Sequence, residues 1–490
     1  MARSLTLPEH QPSGRSTHGL SSTKFKISSS DVGLTQSIER RGLVAEYPIA
    51  YAVGSGNHAI AYLVRVGDYL FQSPISYYTR RRVWSMAPGF EQDRLPDFTR
   101  PVTAECLLCH TGSVFPVDLT LNRYKPPIVG ELSISCDRCH GPVDAHLRKP
   151  SRANIVNPAR LPPKARDSVC EQCHLSGEAR IANPGRRVSD FQPGQELEEI
   201  FSTYVFASPI ESSAEPSSIK VISHFEQLRK SACARNSGGR LWCGTCHNPH
   251  NETSDPRTYF RDRCLSCHGS DLAESHPRPS DNCIGCHMPT RPAKDGGHTV
   301  FTDHRITRRP EPGMDVKKDR LVAWRAAPAA FETRNLGLAY VAVGERDHLP
   351  HCLEQGWRLL ISIQEPFAND HAVLTSLGVV YLRKGLVHDA VRVFQRALEL
   401  QPGAAAYHVN LATALAEAGE SEPAITHLNR AIELDPSLEI AYRRLVEIYG
   451  KSHRDAAVDD VFRRYLLFRP QSLSAREALH GVQHGAAYAH

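Results

Sequence analysis

Cys243-Gly-Thr-Cys246-His247, Cys264-Leu-Ser-Cys267-His268 and Cys283-Ile-Gly-Cys286-His287 set three copies of one five-residue motif into residues 243–287. Three more copies lie upstream: Cys106, Cys109 and His110; Cys136, Cys139 and His140; Cys170, Cys173 and His174. Cys-x-x-Cys-His is the attachment pattern for c-type haem. Each thiol adds to one haem vinyl group, and the two-residue spacer lets a single helical turn reach both. The adjacent histidine then lies under the porphyrin and ligates the iron. Six motifs predict six covalent haems.

The competing use of paired cysteines is zinc. Two Cys-x-x-Cys knuckles enclose one tetrahedral ion, and histidine can replace a cysteine. Nothing in a zinc knuckle requires a histidine directly after the second cysteine, yet all six pairs have one. With histidine at roughly 5% of positions, six chance coincidences come to on the order of 10⁻⁸. The pattern selects haem over zinc or a redox dithiol.

Composition agrees. Of 490 residues, 41% are hydrophobic and 7% aromatic, a thin protein core that haems, being large apolar bodies, would supplement. The formal charge is +5. Two propionates on each of six haems would move it to roughly 5 − 12 = −7, so the apparent basicity gives no reason to expect nucleic acid. Arg80-Arg81-Arg82 and Arg308-Arg309 read as solvated faces or propionate partners. Twelve of the fourteen cysteines lie in motifs; Cys233 and Cys352 read as plain buried thiols. No apolar run reaches the 18 or so residues of a membrane span. Met1–Leu20 has no apolar signal core, which conflicts with a haem type attached outside the cytoplasm.

Residues 1–45 are rich in Ser, Arg and Thr and read as a loose lead-in. Ala59–Val66, Gly67-Asp68 and Tyr69–Gln72 read as a β-hairpin, and Trp84–Phe90 as a loop over apolar surface. The expected haem domain is 46–305, proline- and glycine-rich with little regular structure, held together by its haems. Ser223–Ser231 reads as a helix. A linker follows at 306–324, with Pro310, Pro312 and Gly313.

The region 325–480 differs in kind. Leu377-Gly378, Tyr381, Gly385, Ala390, Phe394, Ala397 and Pro402 follow a tetratricopeptide pattern. Gly419, Ala424, Ala431 and Pro436 repeat it, and Tyr449, Phe462 and Pro470 repeat it again more weakly. The prolines at 402, 436 and 470 keep a 34-residue period. A degenerate earlier copy begins at Leu336-Gly337 with Tyr340 and Gly344. The expected fold is mainly α: a multihaem domain with one small hairpin, then an α-solenoid of helix pairs.

A haem iron with a second protein ligand mainly carries electrons, and one without it binds small molecules. Only four methionines occur (1, 86, 288 and 314), so bis-histidine ligation is the default. Up to residue 305, nine histidines lie outside the motifs: 10, 18, 58, 146, 224, 250, 276, 298 and 304. His146 and His250 come first, each close to a motif through a proline turn. His58, His224, His298 and His304 follow, with His276 below them. His388 and His427 read as helix-surface residues of the repeats.

Several longer stretches join these motifs. They are Gly54-Ser-Gly-Asn-His58, Trp84-Ser-Met-Ala-Pro-Gly89, Cys136-Asp-Arg-Cys-His-Gly-Pro142 and Ile155-Val-Asn-Pro-Ala-Arg160. Cys243 through His250, Cys283 through Pro289, and His298 through Arg305 complete the set. With these, the sequence resembles the bacterial multihaem c-type cytochromes that carry C-terminal tetratricopeptide repeats, related in style to doubled-CxxCH and cytochrome c-552/4-type modules. The resemblance implies a periplasmic or otherwise exported electron carrier. Members usually open with a signal peptide and one further Cys-x-x-Cys-His, so Met1 is expected to be internal. Two functions follow as expectations. The first is electron transfer along the haems, with the repeats docking a redox partner protein. The alternative is reduction or oxidation of a small nitrogen or sulfur compound at one five-coordinate haem. A repeat scaffold with zinc knuckles is the third reading.

Overall fold

The computed structural model describes residues 5–6, 12–30, 33–207, 214–215, 219–251, 253–269, 276, 282–307, 311–312 and 319–483. His10, Arg308-Arg309, Pro310, Gly313 and Met314 lie outside these residues. By contact the chain divides into two compact units, 4–133 with 340–490, and 1–3 with 134–339. The boundaries expected at 45, 305 and 324 do not coincide with that division.

The first unit opens with an antiparallel seven-stranded sheet: β1 (Leu5–Thr6), β2 (Gly14–Thr17), β3 (Lys24–Ser30), β4 (Gly33–Arg40), β5 (Leu43–Val53), β6 (Ala61–Val66) and β7 (Tyr69–Gln72). Strands β2 to β7 pair in sequence order, and β1 joins the free side of β5. The hairpin expected at 59–72 is there, with Val66 opposite Tyr69 and Gly67 at positive φ. It is the end of a larger sheet, so two expectations are corrected: the part of 1–45 that is described is strand rather than loose chain, and the fold is not mainly α with one small hairpin. The cause is alternation. Along β4, buried residues Leu34, Gln36, Ile38 and Arg40 alternate with wetter Thr35, Ser37 and Glu39, so half of each strand is polar and its composition hides it.

Phe25, Ile27, Ile38, Tyr47, Tyr62, Trp84, Phe90 and Phe98 form the core on one face of this sheet. Trp84 belongs to a short strand, Val83–Met86, paired with Ile75–Tyr78, rather than to a loop. Leu473 completes the same core from the far end of the chain, with Phe468 packed against it. The sheet is therefore seated on the last helices of the solenoid. Arg40, 3% exposed, donates to Glu477 at 2.8 Å.

The solenoid consists of paired helices: Glu332–Asp347 with Pro350–Ser362, His371–Arg383 with Val387–Leu400, Ala405–Glu417 with Ser421–Leu434, and Glu439–Lys451 with Asp455–Phe468. Leu473–Gln483 caps the series. Pro402, Pro436 and Pro470 each stand two residues beyond a helix end, where a missing N–H costs nothing. Gly378 shows why the pattern needs a small residue: a Cβ there would lie 2.4 Å from Phe394 of the partner helix. Cys352 is buried, as expected, whereas Cys233 is only half-buried.

The other unit carries short elements. They include helices α2 (Asp137–His140), α3 (Asp144–Arg148), α4 (Pro163–His174), α5 (His224–Leu228), α6 (Ala232–Asn236), α7 (Cys243–Cys246), α8 (Pro256–His268) and α9 (Cys283–His287). A strand pair, Ala179–Ala182 with Phe201–Phe206, is extended by Leu321–Ala323 from the expected linker. The first helix of the chain, α1 (Ala104–Leu108), belongs with the sheet. Its Leu107 packs with Leu70, Val102, Tyr124 and Ile128.

Candidate haem-binding site

Each Cys-x-x-Cys-His copy falls on or at the end of a short helix: α1, α2, the last turn of α4, α7, the last turn of α8, and α9. Spacing i, i+3, i+4 puts both thiols and the imidazole on one helical face, the arrangement needed to hold one edge of a porphyrin and its iron. Cys106, Cys136, Cys267 and Cys286 are exposed, and Cys109, Cys139, Cys170, Cys173, Cys243, Cys246, Cys264 and Cys283 are half-buried.

The first motif lies at the end of its helix. There α1 ends at Leu108, Cys109 is its C-cap with φ −88° and ψ −10°, and His110 stands beyond it. The helix is only five residues long, and Thr111 Oγ1 closes its last turn by donating to Leu107 O at 2.9 Å. By contrast, Cys267 and Cys286 lie inside α8 and α9, each one residue before the motif histidine that ends its helix.

Helices α2, α7, α8 and α9 bury none of their own residues, although α8 runs for 13 residues. A helix of that length normally buries an apolar stripe against other chain. Here the face that would do so is the one bearing the thiols and the histidine, which fits an apolar group covalently held there.

Four non-motif histidines, His224, His250, His276 and His304, lie beside motif histidines. His250 stacks on His140 with ring centroids 5.8 Å apart and planes 18° from parallel. His304 stacks on His247 at 6.2 Å and 29°. His276 stands 6.1 Å from His287, edge to face. With metal–imidazole bonds of about 2 Å, one iron between two imidazoles separates their centroids by about 6 Å. His224 joins the two sets, 5.0 Å from His174 and 4.8 Å from His304. His174, His224, His247 and His304 thus form one continuous cluster from two motifs and two distant segments. Among the described residues, no three His, Cys, Asp or Glu side chains gather as ligands of a single bare ion.

Tautomers are fixed where a backbone carbonyl takes the Nδ1 proton. His140 Nδ1 donates to Val156 O at 2.7 Å, His287 Nδ1 to Thr307 O at 2.8 Å, and His304 Nδ1 to Thr302 O at 3.0 Å. With Nδ1 held in this way Nε2 is the nitrogen turned to other partners, and metal-bound histidines usually hold their second ring nitrogen by such a bond. Burial lowers the pKa of His174, His247 and His304, and pushes His224 down to about 3 with His174 and His304 adding to it. His224 Nδ1 is buried with no hydrogen-bond partner among the described residues. Neutral, desolvated imidazoles of this kind fit an axial-ligand role.

The motifs also follow one another in space. Gln172 Nε2 in the third motif donates to Arg138 O in the second at 2.8 Å. The thiols of Cys170 and Cys243 share a hydrogen bond, joining the third motif to the fourth. Helix α7 packs on α8, where Phe260 meets the His247 ring edge to face at 5.5 Å. Cys264 and Cys283 share a hydrogen bond between the fifth and sixth. Five motifs therefore form a series in chain order within one unit.

The remaining candidates sit as follows. His110 ends the first motif in the sheet-bearing unit, and burial lowers its pKa. His58, in the same unit, is lowered by burial and by Arg80, and its carbonyl accepts from Thr79 N at 3.2 Å. His298 lies in the turn before the strand Val300–Thr302. His146 and His268 meet no other histidine ring among the described residues; His146 Nδ1 faces Ser151 O and Asn154 Oδ1, each at 3.1 Å. The order expected from sequence changes in two places: His276 stands beside a motif histidine, whereas His146, favoured for its proximity in the chain, does not. His427 is no plain surface residue, since its Nδ1 lies 3.0 Å from that of His408.

Inside the third motif, Glu171 is 1% exposed and receives Arg325 at 2.8 Å and Trp324 Nε1 at 2.9 Å. Burial nevertheless pushes its carboxyl up to about 7. Sequence reading passed over it, and its place between Cys170 and Cys173 was the available signal.

Among known proteins, the tetratricopeptide repeat family matches residues 375–439. A TPR repeat-containing thioredoxin of Arabidopsis thaliana is 36% identical over 81 residues, covering 16% of this chain and 12% of that protein. A protein O-mannosyl-transferase of Homo sapiens is 26% identical over 137 residues, 28% of this chain and 15% of the other. The chain thus spans less than a sixth of the length of either relative. The crystal structure of MamA aligns with 29% of this chain and 85% of its own, at 21% identity and TM-score 0.26. The C-terminal region is a tetratricopeptide repeat segment, and no helix among the described residues is long and apolar enough to cross a membrane.

Proposed function

We propose that this chain is an exported, periplasmic multihaem c-type cytochrome. It carries electrons along six covalently attached haems, and its repeats dock a redox partner protein. The observation that carries the proposal is the meeting of motif and non-motif histidines at 5.8–6.2 Å in three places. Zinc knuckles would bring two cysteine pairs around one ion. The approach of a non-motif histidine to the histidine of three motifs fits a haem iron instead.

When bound, each haem would supply a one-electron couple. The chain's own residues do the rest. Val156, Thr307 and Thr302 carbonyls hold His140, His287 and His304 with Nε2 presented. His250, His276 and His304 stand beside motif histidines and would serve as second iron ligands, which favours carriage over catalysis at those positions. The Gln172–Arg138 hydrogen bond and the packing of α7 on α8 keep successive motifs adjacent, as a relay requires.

The test is substitution in the holoprotein. His250→Ala should convert one low-spin haem to a high-spin, carbon monoxide-binding one and leave the covalent haem count unchanged. If the variant keeps the wild-type spectrum and binds no carbon monoxide, His250 is no axial ligand and this reading of the pairs fails.

A further inference from the structure

Directly after the second motif, the chain runs from Ala145 to Arg166 without an acidic residue while carrying Arg148, Lys149, Arg152, Arg160, Lys164 and Arg166. Arg166 is buried against Asp167, and Lys164 faces Glu196 at 3.6 Å. Arg148, Lys149, Arg152 and Arg160 are exposed and form no ion pair among the described residues. Asp144, at the start of α3, is the acidic side chain closest along the chain. Leu147 stands among them, 71% exposed.

This basic segment is fastened to a motif histidine. Asn154 Nδ2 lies 3.2 Å from Ala145 O and 3.0 Å from Lys149 O, drawing the loop 149–154 back onto α3. Val156 N then donates to His140 O at 3.1 Å, and His140 Nδ1 donates to Val156 O at 2.7 Å. Three of the four cations thus sit on α3 and on the loop that holds the His140 ring, and Arg160 sits on the 3₁₀ turn Pro158–Arg160 just after it. His140 belongs to one of the two end motifs of the spatial series, and the end of a relay is where an external carrier can exchange electrons with it.

We infer that this face docks an acidic one-electron carrier protein, which exchanges electrons with the haem at His140; the inference rests on the cytochrome reading. One electron leaves the reduced carrier and one ferric haem becomes ferrous, or the reverse, and no bond or proton changes place. Unpaired like charges around one exposed apolar side chain steer an oppositely charged partner and leave it a small apolar contact at the centre. A membrane surface is the lesser fit. Polybasic membrane segments need only cluster next to a bilayer, whereas this one is hydrogen-bonded around an axial ligand.

The experiment uses haem-loaded protein, with the haem count measured first. Ferricyanide and hexaammineruthenium(III) serve as anionic and cationic one-electron oxidants of the reduced protein. In Arg148→Glu/Lys149→Glu/Arg152→Glu/Arg160→Glu, the ferricyanide rate at low ionic strength should fall at least about tenfold and the ruthenium rate should rise. The contrast should vanish at about 0.5 M salt, where screening leaves a few Å of reach. The milder pair Lys149→Gln/Arg152→Gln, expected to lose part of the ferricyanide rate, serves if the fourfold variant loses its haems. Unchanged rates overturn the inference, as does a shift in haem potential without a rate change, which would make these residues propionate partners. Sedimentation of the wild type, but not the variant, with phosphatidylglycerol vesicles would assign the face to a membrane. Absence of haem defeats the cytochrome reading itself, before any rate is measured.

Discussion

Replacing Arg469 by Met should be among the most damaging single changes in the sheet-bearing unit. Arg469 is 2% exposed, just past the helix Asp455–Phe468. Its guanidinium lies 4.2 Å from the Phe71 ring centre and donates to Phe98 O. Beside it are Tyr47, Tyr465, Glu439 and Asp97, and Asp97 is 1% exposed. Burial raises the Asp97 carboxyl, and Arg469 is the largest influence holding it down. Methionine keeps most of the volume and removes the charge. Leaving the buried Asp97 carboxyl without its nearby counter-charge costs at most about 3–5 kcal/mol, the cost of breaking one side of a buried pair. The cation–π contact is worth about 0.5–2 kcal/mol, and an unsatisfied buried carbonyl costs about 1–3 kcal/mol. These contributions overlap, and protonation of Asp97 relieves part of them, so about 3–5 kcal/mol is the expected total. Denaturant unfolding with hydrogen exchange read by peptide is the assay. Peptides from 14–53 and from 455–483 should lose protection together, and Asp97→Asn should restore part of the loss in the double variant. A cost below about 1 kcal/mol, or loss confined to one of the two segments, would refute the claim that Arg469 joins the sheet to the solenoid.

Three further outcomes are expected. Phe394→Ala should cost about 3–5 kcal/mol in the repeat region, because Phe394 is 1% exposed against Gly378, and thermal unfolding of the helical signal measures it. His304→Ala should open the haem of His247 to carbon monoxide, read by the reduced-state absorption spectrum, whereas His388→Ala should not. Glu171, raised to about 7 from 4.5, contributes stability that is full below pH 4.5 and is lost as pH rises through about 7. Glu171→Gln should therefore flatten the fall in melting temperature between those values, and a parallel fall in both proteins would count against the assignment.

What the sequence made legible was what local chemistry dictates. Cys-x-x-Cys-His needs about one helical turn, and each copy lies on or against one, although α1 stops short of Cys109 and His110. Pro402, Pro436 and Pro470 mark helix ends two residues before them, so the repeats could be phased from sequence alone. The sheet was obscured because Lys24-Phe25-Lys26-Ile27 alternates a wet and a dry face, and composition averages the two. Its seating on the solenoid was beyond reach, since Arg40 and Glu477 meet across almost the whole chain. The histidine pairs divide the same way. His250 follows its neighbourhood through a short proline turn, although it meets His140 rather than the nearer His247. His304 reaches His247, and His224 reaches His174, only through tertiary packing. Proximity along the chain suggested His146, yet three-dimensional proximity selected His276.

The central claim is that the six motifs hold haem. Protein produced with an export signal and a c-type haem maturation system should be weighed intact by mass spectrometry under denaturing conditions and assayed as its pyridine haemochrome. The account predicts a mass increase equal to six haems, resistant to acid extraction, with every motif thiol blocked to alkylation, the exposed Cys267 and Cys286 included. A mass matching the bare polypeptide with twelve alkylatable motif thiols, or with stoichiometric zinc under native conditions, would contradict it.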